Sequence, residues 1–115
     1  GDVADQTQKA TDLIRSNTVY VTDVVAVEVI YVLEKVYELS RKDICELVGD
    51  FLGFSNVVHN PIFLLDAVGF YKDHPSLSIV DCYACKEANS YGNELVTLDK
   101  RLVSQGGAHV KNLIP

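Results

Sequence analysis

The sequence lacks a long apolar segment. Its longest apolar run, residues 24–33, is interrupted by Glu28 and is too short to span a bilayer. It also lacks the charged start, apolar middle and small-residue cleavage site of a secretory signal. These absences favour a protein that neither crosses a membrane nor is exported.

The sequence is also poor in cysteine and in positive charge. Three cysteines, an odd number without the spacing of a disulfide framework, fit a reducing compartment, so we expect a cytoplasmic protein. The net charge of −6 argues against broad contact with nucleic-acid phosphates. It does not exclude nucleic-acid chemistry, because a carboxylate cluster that binds a divalent metal ion is itself acidic.

The remaining composition is that of one folded domain, residues 1–115, because 48% of the residues are apolar and 23% are charged. Strands alternate with helices, which predicts an α/β fold with a parallel sheet covered by helices on both faces. Thr22 and Asp23 offer capping chemistry for the second predicted helix, and Ser40 caps the third. The predicted helices cover residues 5–16, 22–37, 41–52 and 60–72 and a segment starting near residue 81, and the predicted strands lie near residues 18–21, 56–59, 94–98 and 109–113.

Three acidic residues stand in apolar surroundings. Glu28 lies in the middle of a helix that is apolar on nearly all sides, Asp81 lies at a helix start, and Asp99 follows a strand-like run. A buried carboxylate is costly unless it is paired or holds a cation, so Glu28 is expected to need a partner. Mg²⁺ and Mn²⁺ prefer oxygen ligands, and converging carboxylates can hold such an ion for phosphodiester hydrolysis. In the alternative interpretation, Asp81 is only a helix cap and Asp99 only a turn residue.

Cys82 and Cys85 form a C-x-x-C pair at a helix start, where a redox-active thiol would have a lowered pKa. The Trp, Gly and Pro residues that usually flank such a redox pair are missing, so packing in a reduced core is the favoured interpretation. A zinc site would need two more ligands, and Cys45 and the histidines are scattered along the sequence.

Three segments resemble the PIN-domain family, especially the VapC-type toxins of bacterial toxin–antitoxin pairs. They are Y-V-T-D-V-V-A-V-E-V-I-Y-V-L-E-K at residues 20–35, L-S-I-V-D-C-Y-A-C-K-E-A at residues 77–88 and L-V-T-L-D-K-R-L at residues 95–102. Their order, spacing and local context agree with the family, and the similarity extends over essentially the whole chain.

This resemblance implies a three-layer α/β/α domain with a central parallel sheet and a Mg²⁺- or Mn²⁺-dependent ribonuclease site. Glu28 matches the family's acidic residue in the apolar helix, Asp81 the one that opens the later helix, and Asp99 the one in the T-x-D loop. Thr97 matches the threonine of that loop and is expected to orient the site by a hydrogen bond. Ser78 is a weaker candidate for a supporting role.

The resemblance also implies partners. The substrate would be RNA, a cognate antitoxin would wrap the toxin and cover its acidic pocket, and the toxin would form a homodimer. Lys100 and Arg101 flank Asp99 and are candidates to contact an RNA phosphate, although a solvated charge pair is the more common outcome.

The sequence departs from the family at its start. Family members begin with an apolar strand that ends in an aspartate and is followed by a helix, whereas Gly1 and Asp2 resemble the segment after that helix. The N-terminal strand, the first helix and the first catalytic aspartate are therefore missing from this sequence, and we expect the strand to exist in the native protein. Two alternatives remain: a catalytically inactive PIN-like interaction module, and a thiol–disulfide protein that uses Cys82 and Cys85.

Overall fold

The computed structural model of the chain describes residues 2–114, with side chains for residues 4–114. Helices and short strands alternate along this range, and the strand pairs are parallel. The predicted α/β class with parallel strands is confirmed. The helices are α1 (Asp2–Ser16), α2 (Asp23–Lys35), α3 (Arg41–Leu52), α4 (Leu64–Asp73), α5 (Ile79–Ser90) and α6 (Lys100–Gln105), and the strands are β1 (Val19–Tyr20), β2 (Val57–Val58), β3 (Leu95–Thr97) and β4 (Val110–Asn112).

The four described strands form two separate two-stranded sheets. β1 pairs with β2, with Val19 opposite Val57, and β3 pairs with β4, with Leu95 opposite Val110. In the part of the chain that the structure describes, no strand pairs with the second edge of β1 or of β3. The sequence predicted one sheet, but the described strands form two, because no described strand joins the β1–β2 pair to the β3–β4 pair.

Each sheet has one covered face and one exposed face. Val57 and Val110 are buried in the core, whereas Tyr20, Val58 and Val96 are 67%, 46% and 52% exposed. Successive side chains of a strand point to opposite faces, so the exposed residues share the face that turns away from the core. The described helices cover one face of each sheet, which differs from the prediction that helices cover both.

The starts of α2 and α3 follow from the residues before them. Thr22 Oγ1 accepts a hydrogen bond from the Val25 N–H at 3.2 Å, and Ser40 Oγ accepts one from the Asp43 N–H at 3.1 Å. Each bond satisfies a backbone donor that the first turn of a helix leaves without a partner. The predicted caps at Thr22 and Ser40 are confirmed.

Helix α4 begins later than predicted, at Leu64. Asn60 Oδ1 accepts a hydrogen bond from the Ile62 N–H at 2.8 Å, and residues 61–63 form a turn. An asparagine side chain that bonds to the backbone two residues ahead stabilises a turn in place of a helix. The prediction of a helix starting at Asn60 and Pro61 was therefore wrong at its start.

A cluster of polar groups links α2, α3 and α4. Arg41 Nη1 donates to the carbonyl oxygens of Tyr71 at 2.8 Å and His74 at 3.1 Å. Arg41 Nε lies 3.1 Å from Glu34 Oε1, which also accepts a hydrogen bond from the Tyr71 hydroxyl at 2.6 Å. Burial acts to raise the pKa of Glu34, but the Tyr71 hydrogen bond and the charges of Lys35 and Arg41 outweigh it and lower that pKa. Glu34 is thus held as a carboxylate.

The longest described helix is α1, with 15 residues. A helix that spans a membrane needs about 20 predominantly apolar residues. None of the helices in residues 2–114 has both the length and the apolar character that this requires.

Candidate functional site

Glu28 lies on the exposed side of α2, so the prediction that it is buried was wrong. Only Ala26 and Ile30 of this helix are fully buried, and Val25 and Val29 remain 49% and 45% exposed. Apolar side chains surround the helix axis, but the described neighbours cover only one side of it. An exposed carboxylate needs no partner, so the argument from burial no longer singles out Glu28.

Asp81 lies in the first turn of α5 and is half-buried. The helix is capped by Ser78, whose Oγ accepts a hydrogen bond from the Asp81 N–H at 3.1 Å. The alternative that Asp81 is itself the cap is therefore wrong. Its carboxylate sits where a helix start favours negative charge. Ser78, which we expected to have a supporting role, holds the main chain of Asp81.

Asp99 follows β3 at its carboxyl end, as predicted, and caps α6. Its Oδ1 accepts hydrogen bonds from the N–H groups of Arg101 at 2.8 Å and Leu102 at 3.2 Å. The N–H of Asp99 donates to Thr97 Oγ1 at 3.0 Å. Thr97 therefore holds the backbone of Asp99, while the exposed Asp99 carboxylate organises the first turn of the next helix.

Replacing Asp99 with Ala should lower the free energy of unfolding by about 1 kcal/mol, because the cap acceptor is lost. Asp99→Asn should lower the free energy of unfolding clearly less than Asp99→Ala does, since asparagine caps a helix as well as aspartate. Urea unfolding without added metal ion measures both variants. Equal losses for Asn and Ala would contradict the capping role.

The three predicted carboxylates lie on neighbouring elements, because α5 packs against both α2 and β3. Their side chains do not converge. Among the described residues, no three His, Cys, Asp or Glu side chains lie close enough together to hold a metal ion. Glu28, Asp81 and Asp99 therefore do not fit a Mg²⁺ or Mn²⁺ ion by themselves in this arrangement.

A polar network between α2 and α5 was missed by the sequence prediction, which treated Asp23 only as a source of capping chemistry. Asp23 Oδ2 accepts hydrogen bonds from the Tyr83 hydroxyl at 2.6 Å and from Asn60 Nδ2 at 2.8 Å, and the same hydroxyl lies 3.1 Å from Glu87 Oε2. Burial, followed by the hydrogen bonds to Asp23 and Glu87, raises the pKa of Tyr83. Tyr83 thus remains a protonated donor that ties α5 to the start of α2.

Cys82 and Cys85 are fully buried, unpaired thiols. Burial raises the pKa of Cys82 to about 12 and also raises that of Cys85, whose thiol donates to the Gly106 carbonyl at 3.0 Å. A reactive thiol needs a lowered pKa and access to solvent. The thiol–disulfide alternative was therefore wrong, and packing in a reduced core is the observed role.

The family comparison agrees with the three sequence segments. A family model described as the PIN domain matches residues 4–107, and this range takes in the segments that carry Glu28, Asp81 and Asp99. Comparisons with curated proteins and with solved structures find no match. Because the family model covers most of the 115 residues, the chain belongs to the PIN domain family, whose members are typically nucleases.

Proposed function

We propose that this protein is a Mg²⁺- or Mn²⁺-dependent endoribonuclease that hydrolyses RNA phosphodiester bonds, and that it is the toxin of a toxin–antitoxin pair. The observation that carries the proposal is the PIN family match, which spans all three acidic segments. The net charge of −6 does not exclude this function, because a carboxylate cluster that recruits a divalent cation is itself acidic.

The positions of Asp81 and Asp99 support the proposal. Asp99 lies at the carboxyl end of β3, the edge at which open α/β sheets bind ligands. The Asp81 carboxylate does not cap α5, because the Ser78 hydroxyl does so. Lys100 and Arg101 are exposed beside Asp99 and provide positive charge for the phosphates of an RNA strand.

By the family resemblance, Glu28, Asp81 and Asp99 would be the carboxylates that bind the metal ion, although they do not converge in residues 4–114. Thr97 holds the main chain of Asp99. The described side chains do not complete such a site, so it needs further oxygen ligands. Mg²⁺ usually keeps several bound waters beside one or two carboxylates, which makes an incomplete protein shell compatible with binding.

The proposed partners are RNA, a cognate antitoxin and a second copy of the chain, and the proposed compartment is the cytoplasm. The antitoxin would cover the acidic pocket with its C-terminal segment, as the family resemblance implies. The three free thiols support a reducing compartment.

Asp81→Asn tests the site. We expect RNA cleavage in Mg²⁺ or Mn²⁺ to fall at least about 100-fold, because the substitution removes the charge assigned to the cation. Asp43→Asn is the matched control. Asp43 occupies the same position of α3, three residues after a capping serine whose Oγ accepts its N–H at 3.1 Å. The Asp43→Asn control should retain full activity. Any loss of activity caused only by removing a carboxylate from the first turn of a helix would appear in both variants, so the difference between them reports on the site.

Equal cleavage by the native protein and Asp81→Asn would contradict the site assignment. The catalytically inactive interaction module is the second candidate, and the lack of three converging ligands among the described residues favours it. It predicts no cleavage by any variant and no heat of Mn²⁺ binding in a calorimetric titration of the native protein.

A further inference from the structure

Positive charge is concentrated near the end of the sequence. Three of the ten basic residues and only one of the sixteen acidic residues lie in residues 95–114, which therefore carry a net charge of +2. The remaining seven basic and fifteen acidic residues give residues 1–94 a net charge of −8. The three basic residues, called the basic triplet below, are Lys100, Arg101 and Lys111. A charge asymmetry of this kind within a chain is typical of contact with a nucleic acid.

The side chains of the basic triplet are exposed and have no partner among the described residues. None of the three forms an ion pair or a side-chain hydrogen bond there. The ion pairs within residues 4–114 are instead those of Lys35 and Arg41 with Glu34. The triplet can therefore contact an anion from outside without giving up a contact inside the protein.

The sheet register brings the basic triplet to the end of β3. Lys100 and Arg101 open α6 directly after Asp99. Lys111 lies in β4 opposite Val96, which is three residues before Asp99. At about 3.3 Å per residue, this separation is about 10 Å along the strand. The Debye length is also about 10 Å at 0.1 M salt, so the three charges reinforce one another beside the Asp99 carboxylate.

Basic residues elsewhere in the chain stand among acidic ones. Lys42 is followed by Asp43 at the start of α3, and Lys72 is followed by Asp73 at the end of α4. A phosphate group that approached either lysine would also meet a carboxylate. The surface outside the basic triplet therefore repels a polyanion, because its summed charge is strongly negative.

We propose that RNA binds this protein through the basic triplet, with its phosphates on Lys100, Arg101 and Lys111 and its backbone passing the Asp99 carboxylate. The inference rests on the proposed RNA substrate, but it does not depend on the metal ion. Contacts to phosphates position a strand and carry no sequence information, so the triplet sets where RNA lies and not which sequence is chosen. Three neutralised phosphates predict that the logarithm of the binding constant falls with the logarithm of the salt concentration with a slope of about −2, since each contributes about −0.7 for a single strand.

Fluorescence anisotropy of a labelled single-stranded RNA tests the surface, with EDTA present and salt varied from about 50 to 200 mM. Lys100→Gln, Arg101→Gln and Lys111→Gln should each raise the dissociation constant at least about threefold at the lowest salt concentration. Each should also bring the salt slope closer to zero by about 0.7, because one phosphate contact is lost. Lys42→Gln and Lys72→Gln are the matched controls. They remove the same charge from exposed positions of the acidic surface and should leave the slope unchanged.

Urea unfolding midpoints show that each variant is folded, which the exposure of all five side chains favours. A native protein that does not bind RNA at low salt would overturn the proposal, and so would any triplet variant that binds as the native protein does. Controls that weaken binding as much as the triplet variants would overturn it as well. Because binding is measured without a metal ion, RNA that binds through the triplet but is not cleaved would contradict only the proposed ribonuclease activity. Cleavage by a protein whose triplet variants all bind RNA normally would contradict only the proposed surface.

Discussion

Replacing Arg41 with Met is expected to lower the free energy of unfolding by about 3 kcal/mol. The Arg41 side chain is only 18% exposed, and its loss leaves the Glu34 carboxylate and the carbonyl oxygens of Tyr71 and His74 without this donor. The guanidinium also lies 4.0 Å from the centre of the Tyr71 ring. Breaking a buried ion pair from one side costs about 3–5 kcal/mol, and partial exposure of this pair favours the lower end. Urea unfolding monitored by circular dichroism measures the loss.

Lys35→Met provides the matched control, since Lys35 Nζ lies 3.2 Å from the same Glu34 carboxylate. The Lys35 side chain is 60% exposed, so water screens the pair, and the loss should stay below about 0.5 kcal/mol. Similar losses of stability for Arg41→Met and Lys35→Met would show that Arg41 stabilises the protein no more than an exposed charge pair does.

Adding one methyl group at Gly106 is expected to lower the free energy of unfolding by about 2–3 kcal/mol. A Cβ at this position would lie 2.7 Å from the Leu102 carbonyl oxygen and 2.7 Å from Val110 Cγ2. Leu102 and Val110 are buried, so neither can give way without disturbing the core. The Gly106 carbonyl also accepts the Cys85 thiol, and a shift of this backbone would lengthen that bond. Thermal and urea unfolding of Gly106→Ala measure the effect.

Gly49→Ala should instead raise the free energy of unfolding. Gly49 lies within α3, and a Cβ there would meet nothing within 4 Å. Alanine in place of glycine inside a helix stabilises it by about 0.5–1 kcal/mol. If Gly49→Ala and Gly106→Ala changed stability in the same direction, the close packing at Gly106 would not be the cause.

Helix starts could be predicted where the cause lies within a few residues. Thr22 and Ser40 were identified because a capping hydroxyl and the donor it accepts from are three residues apart. The burial of Glu28 was predicted wrongly, because apolar neighbours in the sequence say nothing about whether another element covers them. The late start of α4 was missed because the turn chemistry of Asn60 competes with helix formation.

The positions of the candidate residues in the secondary structure could be predicted from the sequence, but their arrangement in space could not. The three motifs place Asp81 at a helix start and Asp99 after a strand, and both positions are observed. Convergence of carboxylates depends on how three elements pack, which no local pattern encodes. The contact between Asp23 and Tyr83 joins residues 60 positions apart, so only the structure reveals it.

The division of the strands into two sheets has a consequence for cooperativity. Within the described residues, no backbone hydrogen bond joins the β1–β2 pair to the β3–β4 pair, and the two are connected through helices such as α2 and α5. Opening of one pair therefore does not require the other to break its hydrogen bonds. Amide protons in β1 and β3 should accordingly exchange with solvent at separate rates, as in two local unfolding units, with side-chain packing between helices as the link.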